Sequence, residues 1–186
     1  MIPYCQYVSE HPEDKINRVY HDTEYGFPLA EDALLFERLI LEINQAGLSW
    51  VTILKKKENF RRAYAGFDID IVADYGQTDR ERLLSDSGII RNRLKIDATI
   101  ENAKHILNLR EEFGSFRGWL DFHINLSRED WVKLFKQTFR FTGGEIVGEF
   151  LMSTGYLPGA HDPDCPVYQQ IKALEPVWMR TERSLP

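Results

Sequence analysis

Cysteine is almost absent: Cys5 and Cys165 are the whole complement of this 186-residue chain. A fold stapled by several disulfides is therefore excluded. A single bridge between the two fits poorly with a chain expected to carry no export signal. Long apolar runs are also missing, and none approaches the roughly 20 residues that span a bilayer. The opening residues, MIPYCQYVSEHPEDK, turn polar and acidic at once. They resemble neither a signal nor a transit peptide, so a cytoplasmic protein with no membrane partner is expected. Positive charge is not in excess, since the formal net charge is -6. That counts against a surface that binds nucleic acid everywhere, because affinity for DNA comes largely from neutralised phosphates. It leaves room for a basic face, where the field is set locally. No segment shows clean strand alternation, and there is neither an internal repeat nor a low-complexity stretch.

What is present is helical periodicity around a core of ordinary size, with 43% hydrophobic residues. In EDALLFERLILEINQAGLSW the apolar residues Leu35, Phe36, Leu39, Ile40 and Ile43 recur at steps of three and four. Asp32 is placed to cap that helix and Gly47 to end it. The spacing predicts further helices over Thr52–Tyr64, Leu94–Phe113, Ser115–His123, Arg128–Phe139 and Glu145–Ser153. A short one is predicted over Thr78–Leu84, with Thr78 as N-cap and Glu81 completing a capping box. From His161 onward there is much proline and little pattern. The expected fold class is all-α with short loops.

Three groups of residues carry chemistry. Cys5 and His21 lie in the first segment, and His161 and Cys165 lie in HDPDC near the end. Two thiolates and two imidazoles make a closed tetrahedral zinc site of the structural type. Such a site would clasp the chain ends, like a crosslink worth about 4 kcal/mol. The competing reading is two small core cysteines and two ordinary histidines. Second, Glu42 falls at the margin of the apolar stripe, close to Leu35 and Leu39, with Gln45, Trp50, Tyr20 and Tyr25 nearby in sequence. A carboxylate, amides and aromatic rings are what an extruded purine needs, since rings stack on the base and polar groups read its edge. The alternative is core aromatics beside an exposed glutamate. Third, LLSDSGIIRNRLKI reads as a helix, a turn at Gly88 and a new helix start. Gly88 admits close backbone approach, and Arg91 and Arg93 stand where neighbouring phosphates would lie. Lys55, Lys56, Lys57, Arg61 and Arg62 add a second basic cluster; either group reads equally as a solvated helix face.

Together, YHDTEYGFP, FERLILEINQAGLSWVTILKKKENFRRAY, SGIIRNRLKI, FRFTGGEIVGEFLMSTGYL and HDPDCP resemble the DNA-3-methyladenine glycosylase I family. These are bacterial enzymes of the helix-hairpin-helix glycosylase superfamily, and the resemblance runs from about Tyr4 to Pro166. It implies a single domain over 1–186, with a zinc-clasped terminal lobe and a helix-hairpin-helix lobe around 70–120. It implies a structural zinc on Cys5, His21, His161 and Cys165. It implies that Glu42 contacts the base, with Tyr20 and Trp50 in the same pocket and Tyr7 and Tyr25 where the family has aromatic pocket residues. The partner implied is double-stranded DNA containing alkylated purines, bound by a monomer.

The chain departs from the family pattern at several points. Tyr25 stands where tryptophan is usual, and Ile43 and Asn44 replace a small residue and a glutamine. Glu145 follows Gly143-Gly144 where the family tends to be uncharged, and the stretch between Trp119 and Lys136 is shorter. The changes at positions 25, 43 and 44 bear on substrate more than on fold. Bifunctional relatives carry a lysine nucleophile in the hairpin where Asn92 stands here, and the superfamily's catalytic aspartate has no evident counterpart. The resemblance therefore implies removal of N3-alkylated adenine without strand cleavage. Two rival readings are a DNA-binding module with altered catalysis and a glycosylase for another lesion.

Overall fold

The computed structural model describes residues 3–182, and among them helices account for all the regular structure. Two short helices, α1 (Tyr4–Glu10) and α2 (Lys15–Thr23), precede the central α3 (Asp32–Gln45). Then come α4 (Trp50–Ala63), a 3₁₀ turn (Ala65–Phe67), α5 (Ile69–Ala73) and α6 (Gln77–Ser85). The long α7 (Arg93–Phe113) leads into α8 (Phe116–Phe122), α9 (Arg128–Thr138) and α10 (Gly144–Ser153). The chain ends with α11 (Pro166–Ala173) and α12 (Val177–Glu182). The all-α expectation holds.

The α3 helix is the axis of the molecule. Every residue from Leu35 to Asn44 is buried, polar ones included. A helix covered on all sides must satisfy its polar groups internally. Arg38 does so through the Tyr20 hydroxyl (3.0 Å), the Ser153 carbonyl (3.3 Å) and Glu24 (3.3 Å). Glu37 accepts both arms of Arg61, at 2.8 and 2.9 Å. Lys57 joins the network by donating to Glu24. These charge-assisted bonds tie α3 to α4 and to the turn after α2. Below them lies an aromatic core in which Phe116, Trp119, Trp131, Phe135 and Phe150 are all buried.

Several helix ends differ from the sequence-based expectation. Asp32 is the first residue of α3 rather than its cap, and its carboxylate accepts the Phe116 and Arg117 amides at 2.8 and 3.0 Å. It therefore caps α8, whose first amides have no intrahelical acceptor. Thr78 lies inside the first turn of α6. The box is closed instead by Asp79, which accepts the Gly76 amide at 3.1 Å. The tail was unpatterned in sequence yet holds α11 and α12, each too short for periodicity to register. Proline at the first position of α11 suits a helix start, where its missing N–H costs nothing.

Candidate active site

The C-terminal half of α3, the start of α4, and α2 and α10 enclose a cavity of about 590 Å³. That volume lies within the roughly 300–1,000 Å³ typical of small-molecule sites. Glu42 lies on its wall and is 5% exposed. Among the described residues its carboxylate takes part in no hydrogen bond. Burial pushes the Glu42 carboxyl up to about 8; the Arg38 charge pulls it down and the Glu149 charge pushes it further up.

Aromatic rings form the other walls. Tyr20 and Trp50 meet edge-on with centroids 5.1 Å apart. Tyr20 and Tyr25 are tilted at 5.6 Å, and Tyr4 meets Tyr25 edge-on at 5.5 Å. Each is held from behind. The Tyr20 hydroxyl accepts from Arg38, the Tyr25 hydroxyl donates to Glu149 Oε2 (3.1 Å), and the Tyr4 hydroxyl donates to Asn17 (3.0 Å to Oδ1). The Trp50 indole is different: its N–H is buried and has no acceptor. The sealed Trp50 N–H is expensive as it stands, whereas the Glu42 carboxylate has no protein partner but is not sealed from the cavity.

The cavity gathers Glu42, Tyr20, Tyr25 and Trp50, as the sequence suggested, together with Gln45. It does not include Tyr7. That ring stacks on His11 at 4.3 Å and its hydroxyl donates to Asp14, so Tyr4 supplies the aromatic wall from α1. Glu145 and Glu149 of α10 also line the cavity, and sequence reasoning did not single out Glu149. The signal was faint: two acids four residues apart, hence on one face of an otherwise apolar helix. Ile43 and Asn44, the departures next to Glu42, face away from the cavity. Ile43 is fully buried in the core, and Asn44 bonds the Ile40 carbonyl of its own helix at 2.8 Å.

Behind the aromatic wall lie Cys5, His21, His161 and Cys165, with their ligand atoms all within 4.8 Å of one another. Cys165 Sγ is 3.7 Å from His21 Nε2 and 3.5 Å from His161 Nδ1; Cys5 Sγ is 3.6 Å from the same Nδ1. A tetrahedron with ordinary Zn–S and Zn–N bonds has S···N edges of about 3.6 Å. The outer nitrogens are also occupied. His21 Nδ1 bonds Asp22 (2.7 Å) and His161 Nε2 bonds the Tyr25 carbonyl (2.8 Å), which fixes the tautomers that ligation needs. The four residues fit a metal ion.

The turn between α6 and α7 is pinned to α4. Lys56 and Asn59 donate to the Gly88 carbonyl at 3.2 and 3.1 Å. A side chain at Gly88 would press on Asn59, at 3.2 Å from its Cβ. Arg91 and Arg93 are exposed beside it. Asn92 caps α7 by accepting the Lys95 amide at 3.2 Å. Lys95 is buried, and its ammonium donates to the Asn44 and Ala46 carbonyls at 2.9 and 2.8 Å. It closes the C-terminus of α3 and is no free amine.

A family profile described as methyladenine glycosylase matches residues 10–133. The chain is 36% identical over 183 residues to DNA-3-methyladenine glycosylase 1 of Escherichia coli (strain K12), covering 88% of this chain and 96% of that protein. It is 32% identical over 185 residues to the DNA-3-methyladenine glycosylase of Haemophilus influenzae (strain ATCC 51907 / DSM 11121 / KW20 / Rd), covering 89% and 98%. The fold is similar to that of 3-methyladenine DNA glycosylase I (TAG) from Staphylococcus aureus, solved to show how 3-methyladenine is recognised. The TM-score is 0.77 at 33% identity, over 83% of this chain and 92% of that one.

Proposed function

The chain belongs to the methyladenine glycosylase family, and on that premise we propose that it hydrolyses the N-glycosidic bond of N3-alkylated adenine in double-stranded DNA. The carrying observation is Glu42: a buried carboxylate with no protein partner, facing an aromatic-walled cavity. An N3-alkylated adenine in DNA carries positive charge, so its bond to the sugar is already weakened. The protein's task is to extrude the nucleotide, hold the cation and admit water. Tyr20 and Trp50 stack on or edge against the base, Glu42 accepts from its edge, and the Trp50 N–H offers a donor. The N9–C1′ bond breaks with its electron pair passing to the purine, water oxygen bonds to C1′, and the proton that water loses passes to solvent. The base leaves neutral and so loses its attraction to the carboxylate.

Asn92 offers no amine, and Lys95 is spent on two carbonyls. Base removal therefore proceeds without a Schiff base and without strand cleavage. Gly88, Arg91 and Arg93 hold phosphates on either side of the lesion. Zinc suits the two-thiolate, two-imidazole set, and its role there is structural. The proposal extends to one glycosylase domain over residues 1–186, monomeric and cytoplasmic. Among the described residues no helix is long and apolar enough to cross a membrane.

The test is to incubate the metal-loaded protein with methylated duplex DNA and identify released bases by chromatography. Free 3-methyladenine from the parent, and little from Glu42→Gln, is the expected result. Folded protein that binds DNA but releases no base would instead support the binding-module reading. Release of other bases only would point to another lesion.

A further inference from the structure

The loop between α9 and α10 holds a strained, exposed aromatic residue that packing does not account for. Phe141 has a backbone φ of 62°, in the left-handed region that favours glycine. Phe67 also has a positive φ (60°), but its side chain is fully buried in the core, which offsets the strain. Phe141 is 41% exposed. The loop is nonetheless held firmly. The Arg140 amide donates to Oδ1 of the fully buried Asn102 on α7 at 2.7 Å, and Asn102 Nδ2 donates back to the Arg140 carbonyl at 3.1 Å. On the other side, the buried Thr142 hydroxyl donates to the Phe135 carbonyl at 3.1 Å. Buried anchors on both flanks thus fix Phe141 in its strained conformation, a combination that points to a functional role.

The surroundings of Phe141 say what it meets. The Lys95 ammonium lies 5.8 Å from the ring centroid and also donates to the carbonyl of Ala46, which lines the base cavity. Lys95 follows the exposed Arg93 and Leu94 at the start of α7. Phe141 therefore stands outside the cavity lining, between the cavity and the hairpin. Arg91 and Arg93 of the hairpin and Arg140 of this loop are exposed. None of their guanidinium groups has an ion-pair partner among the described residues. By contrast, Arg80, Arg82 and Arg110 on α6 and α7 are paired with acids. In a chain of net charge -6, unpaired arginines beside an exposed ring suit a polyanion that also offers apolar sugars and bases.

Resting on the function proposed above, we infer that Arg140 and Phe141 form a further DNA contact, in which the guanidinium meets a phosphate and the ring packs on the nucleotide flanking the extruded one. The pair acts on holding opened DNA and takes no part in the chemistry at the base. A flanking nucleotide exposes its face only once its neighbour has left the stack, so the ring favours opened over intact duplex.

The test measures binding of the full-length, metal-loaded protein by fluorescence anisotropy over a range of salt. The probes are a duplex with one tetrahydrofuran abasic site and its intact counterpart, so neither depends on base removal. Phe141→Gly suits the backbone and removes only the ring. It should weaken binding to the abasic duplex about tenfold, within the range of an aromatic–nucleotide contact, and to the intact duplex less than twofold. The slope of log affinity against log salt should stay unchanged, because an apolar ring releases no counterions. The melting temperature should not fall, because glycine relieves the backbone. Phe141→Tyr should restore the parent affinity. Arg140→Gln should instead reduce the salt slope by about 0.9. Parent-like binding by Phe141→Gly, equal loss on both duplexes, a loss that tracks a lower melting temperature, or no rescue by tyrosine would overturn the inference. So would an unaltered salt slope in Arg140→Gln. A parent protein that released no 3-methyladenine, with these binding changes still seen, would remove the proposed reaction and leave the contact standing.

Discussion

Replacing Glu42 with glutamine should make the protein more stable while disabling it, and the gain should grow with pH. A free glutamate titrates near 4.5, whereas burial raises the Glu42 carboxyl to about 8. The folded value lies above the unfolded one, so folding takes up a proton between them. Stability therefore falls as pH rises through that window and levels off above it. Integrating between the two values gives a cost of about 1 kcal/mol at pH 5, about 3 at pH 7 and a ceiling near about 5 above pH 8. Glutamine never ionises and escapes this cost. For a domain of this length each kcal/mol moves the melting temperature by about 2–4 °C. The gap between Glu42→Gln and the parent should thus widen by about 7–14 °C from pH 5 to pH 8. Calorimetric or fluorescence melts across that range, on metal-loaded protein, measure it directly. Curves that run parallel with pH would refute the reasoning, because they would mean the carboxylate ionises as easily in the pocket as in water.

Further outcomes follow from other parts of the molecule. Cys165→Ser should lower both bound zinc and the melting temperature; unchanged zinc stoichiometry by metal analysis would show the clasp to be misassigned. Lys95→Met leaves the Asn44 and Ala46 carbonyls without their donor and should cost about 2–4 kcal/mol in denaturant melts, with excision falling because the end of α3 leads into Trp50. A cost within about 0.5 kcal/mol, as for an ordinary surface change, would show that this cap is unimportant. Removing Arg91 or Arg93 should reduce the salt dependence of DNA binding by about one phosphate contact each, a slope change of about 0.9. An unaltered slope would place DNA elsewhere. Borohydride should trap no covalent protein–DNA adduct; a trapped adduct would mean that an amine attacks after all.

The sequence disclosed the helices well and the pocket in part, and the failures have physical reasons. The α3 periodicity was plain, yet its polar residues looked like a solvated face. Only the fold shows that Arg38 and Glu37 are buried and paired. Tyr4 and Tyr7 are three residues apart on one helical face, so spacing could not say which enters the cavity; in the fold it is Tyr4, packed edge-on against Tyr25. His161 and Cys165 were legible as ligands because they are local. The Cys5–His21 half was not, since α1 and α2 must fold back before the two meet. Glu149 was hidden by its surroundings, as α10 reads first as a buried apolar helix.

The position of the metal cluster has an energetic logic. Tyr4 precedes Cys5, Tyr20 precedes His21, and the Tyr25 carbonyl accepts from His161. Three pocket walls are therefore anchored by the ligand set itself, two through the chain and one through a hydrogen bond. Those walls confine two carboxylates that burial penalises, by about 3 kcal/mol at neutral pH for Glu42 alone. Joining segments some 160 residues apart constrains the unfolded chain by an amount comparable to a crosslink of that span, about 4–5 kcal/mol. The two magnitudes are similar, and a metal held there would act next to the pocket rather than across the molecule. A pocket that keeps two acids away from water until a base arrives needs rigid walls. In this chain the ligands that would hold the metal are built into the same segments as those walls.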